Sequence, residues 1–236
     1  MTNINLTPDS IVFVQFGFFK LNATIVCTWA VMAILVLGSI LLTRRLKYGP
    51  NIPKWQHILE KLVLTLRDQI QEMMQQKPGT YLPFIGTLFL FISLSNLLMV
   101  VPYYEPPTGS LSVTAALAVC VFFAVPVFGI YKTGVKAYLK KYIQPSVLML
   151  PFNIISELSR TLALAVRLFG NIMSSRMIGA VLLSIAPLFV PLVMEALGLI
   201  IGQIQAYIFA ALATVYIASA TETQQNTQQK KETTYG

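Results

Sequence analysis

Charged side chains are scarce in this sequence: of 236 residues, 17 are lysine or arginine and 9 are aspartate or glutamate. A soluble chain carries about a quarter of its residues charged, so a water-bathed globular domain is excluded. Histidine occurs once, at His57, and the two cysteines, Cys27 and Cys120, lie far apart in apolar segments. No CxxC pair and no His/Cys cluster is present to hold zinc or exchange disulfides. A solitary cysteine in such surroundings serves as a small hydrophobe. No metal or cofactor is expected. There is no internal repeat, which argues against the matched halves common in secondary transporters. The first twenty residues lack a small-residue cleavage pattern and any positive charge before Lys20, so a removable secretory signal is not expected.

What the chain has instead is apolar length. Hydrophobic residues make up 56% of it, and windows near the roughly 20 residues needed to cross a bilayer occupy most of it. The reading is one polytopic all-α membrane domain, 1–236, with about five spans near 21–42, 81–102, 111–131, 147–185 and 188–219. Between the first two, "KWQHILEKLVLTLRDQIQEMMQQK" repeats apolar residues at helical spacing (Ile58, Leu62, Leu66, Ile70, Met73), with Glu60, Lys61, Arg67 and Asp68 on other faces. That pattern predicts an amphipathic helix, about 55–76, lying on the membrane surface or packed on a partner protein.

The net charge of +8 could point to nucleic acid, but the positions of the bases argue against it. Thirteen fall in segments read as cytoplasmic: seven from Arg44 to Lys77, four from Lys132 to Lys141, and two in the tail. By the positive-inside rule the N-terminus is outside and the C-terminus cytoplasmic.

The last two apolar segments exceed one upright span. At 1.5 Å per residue, 147–185 would reach nearly twice the hydrocarbon thickness of about 30 Å. It must tilt steeply, run partly along the interface, or break. Pro187 and Pro191 separate it from 188–219, which faces the same constraint.

Five charges sit in these two segments: Glu157, Arg160, Arg167, Arg176 and Glu195. An arginine at the bilayer centre costs about 2.5 to 3.5 kcal/mol on insertion scales, so such residues face a partner, a protein interior or water. Arg160 and Arg167 share a helix face, Glu157 is spaced to pair with Arg160, and Asn171 lies one turn beyond Arg167. Arg167 has no local acid. Arg176, nine residues on, points to roughly the opposite side, about 13 Å along the axis. Gln203 and Gln205 lie among Gly198, Gly202, Ala206, Ala210 and Ala213, small residues that allow close helix approach. One reading of the glutamines is interhelical hydrogen bonding alone. For Arg167 the plain reading is a structural arginine that snorkels or pairs with Glu195. The sharper one treats it as a permanent cation. Such a cation favours the ionised form of an arriving carboxylate, expels its bound ion, and bars ions from passing straight across.

"SELSRTLALAVRLFGNIMSSRMIGAVLL" joined to "GQIQAYIFAALATVYIASA" resembles subunit a of the F-type ATP synthases, the stator subunit beside the rotating ring of c subunits. The likeness extends more loosely through "PFIGTLFLFISLSNLLMVVPYY" and "PPTGSLSVTAALAV". It implies a steeply tilted C-terminal hairpin against the c-ring, with Arg167 facing the ring's ion-carrying carboxylates and Asn171 and Gln205 lining the contact. Two offset half-channels would serve the ring, and ion flux would become torque for ATP synthesis without bond chemistry in this subunit. The resemblance also implies subunit b of the peripheral stalk as a partner and a bacterial plasma membrane as the location.

Nine residues after the arginine, many members of that family have a glutamate or histidine, and here Arg176 stands there. Glu157 and Glu195 are then the carboxylates left at membrane depth, and with Arg160, Arg176 and Gln203 they are the candidate half-channel groups. The extra base is similar to the sodium-associated branch of the family. An independent secondary transporter and a purely structural membrane anchor are the competing classes. A transporter would move solute alone, and an anchor would not need Arg167.

Overall fold

The structure, a computed structural model, describes residues 12–16, 19–44, 54–74, 78–101, 104–136, 138–139, 148–185 and 190–221. Six long helices carry these residues: α1 (Ala23–Arg44), α2 (Lys54–Met74), α3 (Leu82–Leu97), α4 (Leu111–Thr133), α5 (Met149–Ile185) and α6 (Val190–Thr221). Before α1 stands a short antiparallel hairpin, β1 (Val12–Phe16) and β2 (Phe19–Asn22), paired from Phe16↔Phe19 outward and irregular between Val12 and Val14. Sequence reading assigned no strand there. The "VFVQF" run is β-branched and aromatic, which suits a pleated strand. The hairpin precedes a membrane fold that is helical throughout the described residues.

Four helical stretches are long and apolar enough to cross a membrane: Thr24–Arg44, Leu82–Val100, Leu111–Thr133 and Val193–Thr221. The chain is a multi-pass membrane protein. α5 has ample length, at 37 residues, but carries Glu157, Arg160, Arg167 and Arg176. It is unbroken. At 1.5 Å per residue it extends about 55 Å, so of the three ways to fit such a segment into a bilayer, a break is excluded and a tilted or partly interfacial course remains. Pro187 lies outside the described residues. Pro191 is the second residue of α6, in the first turn, where its missing N–H leaves no hydrogen bond unmade.

α6 is the packing centre, touching α2, α3, α4 and α5. Its Ala206, Phe209, Ala210, Ala213 and Ile217 are buried together with Ile85 and Ile92 of α3, Val121 of α4, and Leu164 and Leu168 of α5. Small residues set how close these helices come. A Cβ added at Gly202 would stand 2.9 Å from Asn96 Cβ, and one at Gly129 would stand 2.6 Å from Tyr138 Cε2. By contrast α1 exposes Trp29, Leu37 and Leu41 and buries few side chains, as a helix surrounded by lipid does.

α2 packs part of its apolar stripe on its own chain. Its apolar stripe, Leu66, Ile70 and Met74, is buried against α3 and α6 of the same chain, while Ile58 is 71% exposed. Of the residues read as the stripe, Leu66 and Ile70 are buried on the same chain, whereas Ile58 and Leu62 are exposed.

The loop between α3 and α4 is folded inward. Pro106 to Ser110 are buried, including the 3-10 turn Pro107–Gly109, which packs on α1, α3, α4 and α5. The loop's prolines are apolar, and its hydroxyls are satisfied: Thr108 bonds to Asn96 and Ser110 to Ser112, which suits a buried strut.

Candidate functional site

Helical register decides which way Arg167 points. Leu164, Ala165, Leu168 and Ile172 of α5 are buried against the bundle, whereas Leu162 and Val166 are 58% and 59% exposed. Arg167 falls on the exposed side. Among the described residues it has no ion-pair or hydrogen-bond partner. Glu195 is likewise exposed, on α6, and does not pair with it. The internal Arg167–Glu195 bridge is therefore absent.

One turn along, Asn171 Nδ2 donates to Gln205 Oε1 at 2.6 Å, bridging α5 and α6. Gln205 is only 2% exposed, and its Nε2 is buried with no acceptor among the described residues. A buried amide donor left unsatisfied costs about 1 to 3 kcal/mol. Arg167, Asn171 and Gln205, singled out from sequence, are thus brought together around one side of the hairpin.

Gln203 faces elsewhere. It accepts from Ser93 Oγ at 2.5 Å and donates through Nε2 to the Ser93 carbonyl at 3.0 Å, a reciprocal tie to α3. For Gln203 the hydrogen-bonding reading fits. Nearby, Asn96 Nδ2 donates to the Gly202 carbonyl at 2.8 Å, and Thr108 Oγ1 donates to Asn96 Oδ1 at 2.9 Å. This buried chain joins α6, α3 and the inward loop. The spacing in "FISLSNLLMV", three polar residues within an apolar span, was the available signal for Ser93 and Asn96, and sequence reading passed over it.

At the other end of α5, Arg160 lies with its Cζ 5.5 Å from the centroid of the Tyr216 ring, a cation–π arrangement. Glu157 lines the same small recess, together with Thr161 and Val125.

Arg176 does have an acid. Its Nη1 is 2.6 Å from Oε2 of Glu105, and the two side chains are only 18% and 32% exposed. Sequence reading weighed Glu157 and Glu195 as the acids of this region and did not consider Glu105. Glu105, from the α3–α4 loop, reaches the extra arginine, because the buried loop carries it inward. Beside it, burial, reinforced by the neighbouring Cys27, pushes the Tyr104 phenol above its ordinary range, so that hydroxyl stays neutral. No group of three or more metal-ligating side chains occurs among the described residues.

Comparison with known proteins accords with this geometry. The sequence profile described as ATP synthase A chain matches residues 25–218. "ATP synthase subunit a 2" of Acaryochloris marina is 58% identical over 234 residues, which cover 99% of this chain and 100% of that protein. "ATP synthase subunit a" of Albidiferax ferrireducens is 59% identical over 218 residues, 92% of this chain and 94% of the relative. "ATP synthase subunit a 1" of Chlorobaculum parvum is 59% identical over 222 residues, covering 94% and 98%.

Proposed function

We propose, from the premise that this chain belongs to the ATP synthase A chain family, that it is the ion-conducting stator subunit of a rotary ATP synthase. The observation that carries the reading is the state of Arg167: a permanent cation on the outward apolar face of α5, without a partner among the described residues. A fixed charge at membrane depth is costly unless something outside the chain compensates it. The compensating group is a carboxylate on a facing ring of c subunits.

The chemistry follows from the guanidinium. It cannot lose its proton, so it holds a carboxylate opposite it in the ionised form and releases that group's ion. The same charge stops an ion from leaking directly between the two access paths. Asn171 and Gln205, bonded to each other at 2.6 Å, hold the hairpin spacing behind it. Glu195, Glu157, Arg160 and Arg176 line the two half-channels that bring ions to and from the ring. Subunit b braces the chain, and bond-making chemistry belongs to other subunits. The N-terminus is outside and the C-terminus in the cytoplasm of a bacterial plasma membrane. The family match lends no support to an independent transporter.

The test is ATP-driven ion uptake by inside-out vesicles carrying the assembled complex. Arg167→Ala abolishes uptake while the complex still assembles. Arg167→Lys fails too, because lysine keeps the charge but loses the planar, multiply donating head and can deprotonate when buried. Uptake at the unmutated rate in Arg167→Ala would overturn the reading.

A further inference from the structure

Arg176 stands among the half-channel groups above, but its partner Glu105 has no role there, and the pair is a built feature. The loop that delivers Glu105 is held at several points. Thr108 is tied to Asn96, which is tied to the Gly202 carbonyl, and the Gly109 N–H donates to the Pro106 carbonyl at 2.9 Å. A side chain at Gly109 would crowd α5. A Cβ there would stand 3.2 Å from Ile172 Cγ2 and 3.7 Å from Arg176 Cζ. The backbone has thus been brought against the very stretch of α5 that carries Arg176, and the carboxylate arrives on a packed strut.

Electrostatics gives the pair a purpose. Arg176 lies nine residues beyond Arg167 on one continuous helix, a rise of about 13 Å. Left alone, this second permanent cation would repel any cation approaching along that end of α5. In partly buried surroundings such a field is weakly screened. Glu105, in contact with it at 2.6 Å, cancels most of that field.

We propose that Glu105 is a positioning residue that neutralises Arg176, so that cations enter at this end of the hairpin. The inference rests on the ion-conducting reading above. Removing the carboxylate makes the mouth net positive. Removing the arginine makes it net negative, and removing both restores neutrality. The variants therefore shift ion entry in opposite directions, which a merely structural brace does not do.

The experiment uses the whole complex in proteoliposomes, making ATP under an imposed gradient. External Na⁺ and external pH are varied separately, and rates are normalised to assembled complex. Glu105→Gln is expected to raise the ion concentration for half-maximal rate about three- to tenfold, the size expected for one unit charge several ångströms from the path. The maximal rate should stay within about twofold. Arg176→Gln lowers the half-maximal concentration, and Glu105→Gln/Arg176→Gln returns it near the unmutated value. Half-maximal concentrations that stay unchanged in both single variants would overturn the proposal. So would a loss confined to assembly or maximal rate, or a double variant no better than Glu105→Gln. Should Glu105→Gln fail to assemble, the downward shift in Arg176→Gln decides alone, and its absence overturns the proposal. Arg167→Ala runs alongside: synthesis persisting in that variant overturns the underlying reading, whereas its loss together with unshifted pair variants overturns only the role of Glu105.

Discussion

Asn171 and Gln205, 34 residues apart in sequence, share a 2.6 Å hydrogen bond across the α5–α6 hairpin, one turn from an arginine that has no partner among the described residues. The bond is made by the one Gln205 amide atom that finds a partner, because its Nε2 is buried without an acceptor. Replacing either residue by alanine is expected to cost about 1 to 3 kcal/mol, since the remaining buried group loses its partner. The double variant should cost less than the sum, with a coupling of about 1 kcal/mol. Reversible unfolding of the purified subunit in detergent measures it. Strict additivity would mean that the two side chains do not depend on each other.

Glu195 is exposed on the outer face of α6 rather than engaged with Arg167. Glu195→Gln should therefore slow ion flux markedly more than it reduces the amount of assembled complex. Flux through vesicles, normalised to complex by immunoblot, distinguishes the two. Equal flux would reduce Glu195 to a surface polar group.

Gly202 and Gly198 lie one turn apart on α6 but meet different neighbours. A Cβ at Gly202 would come within 2.9 Å of Asn96 Cβ, whereas one at Gly198 would meet only Met99 at 3.8 Å, an ordinary contact. Gly202→Ala is expected to destabilise by about 1 to 3 kcal/mol through overpacking, and it also disturbs the Asn96 bond to the Gly202 carbonyl. Gly198→Ala should be neutral or slightly stabilising in a helix interior. Thermal unfolding of the two variants side by side checks the contrast.

The Tyr104 phenol has its pKa raised on folding, chiefly by burial. A raised acid keeps its proton longer in the folded state than in the unfolded one. Its contribution is therefore complete below the unfolded value of about 10 and is lost as pH rises from there toward the folded value. Stability should thus be flat with respect to this group near neutrality and fall on the alkaline side. Tyr104→Phe should flatten that alkaline limb, as read from melting temperatures across the alkaline range. An identical limb in both proteins would mean that the phenol is not buried.

Much of the fold could be read directly from residue order, for stated reasons. The low charge and long apolar windows sufficed for a helical membrane chain, and helical spacing located α2 and its buried stripe of Leu66 and Ile70. Residue order also made Arg167 stand out as a fixed cation in an apolar helix, whereas Asn171 and Gln205 were picked out by the resemblance to the F-type subunit. It did not reveal the β-hairpin, where a short β-branched run precedes a much stronger helical signal.

Sequence alone indicated the apolar, helical character of the long segments and which polar residues they carry, since hydrophobic patterning is a local property. Which polar groups meet was decided only by packing. Glu105 lies 71 residues from Arg176, and Ser93 lies 110 residues from Gln203. Such pairings depend on the rotation of each helix about its axis and on the path of a loop. Both are set by how side chains from all the helices fill one shared core, and no short stretch of sequence records them.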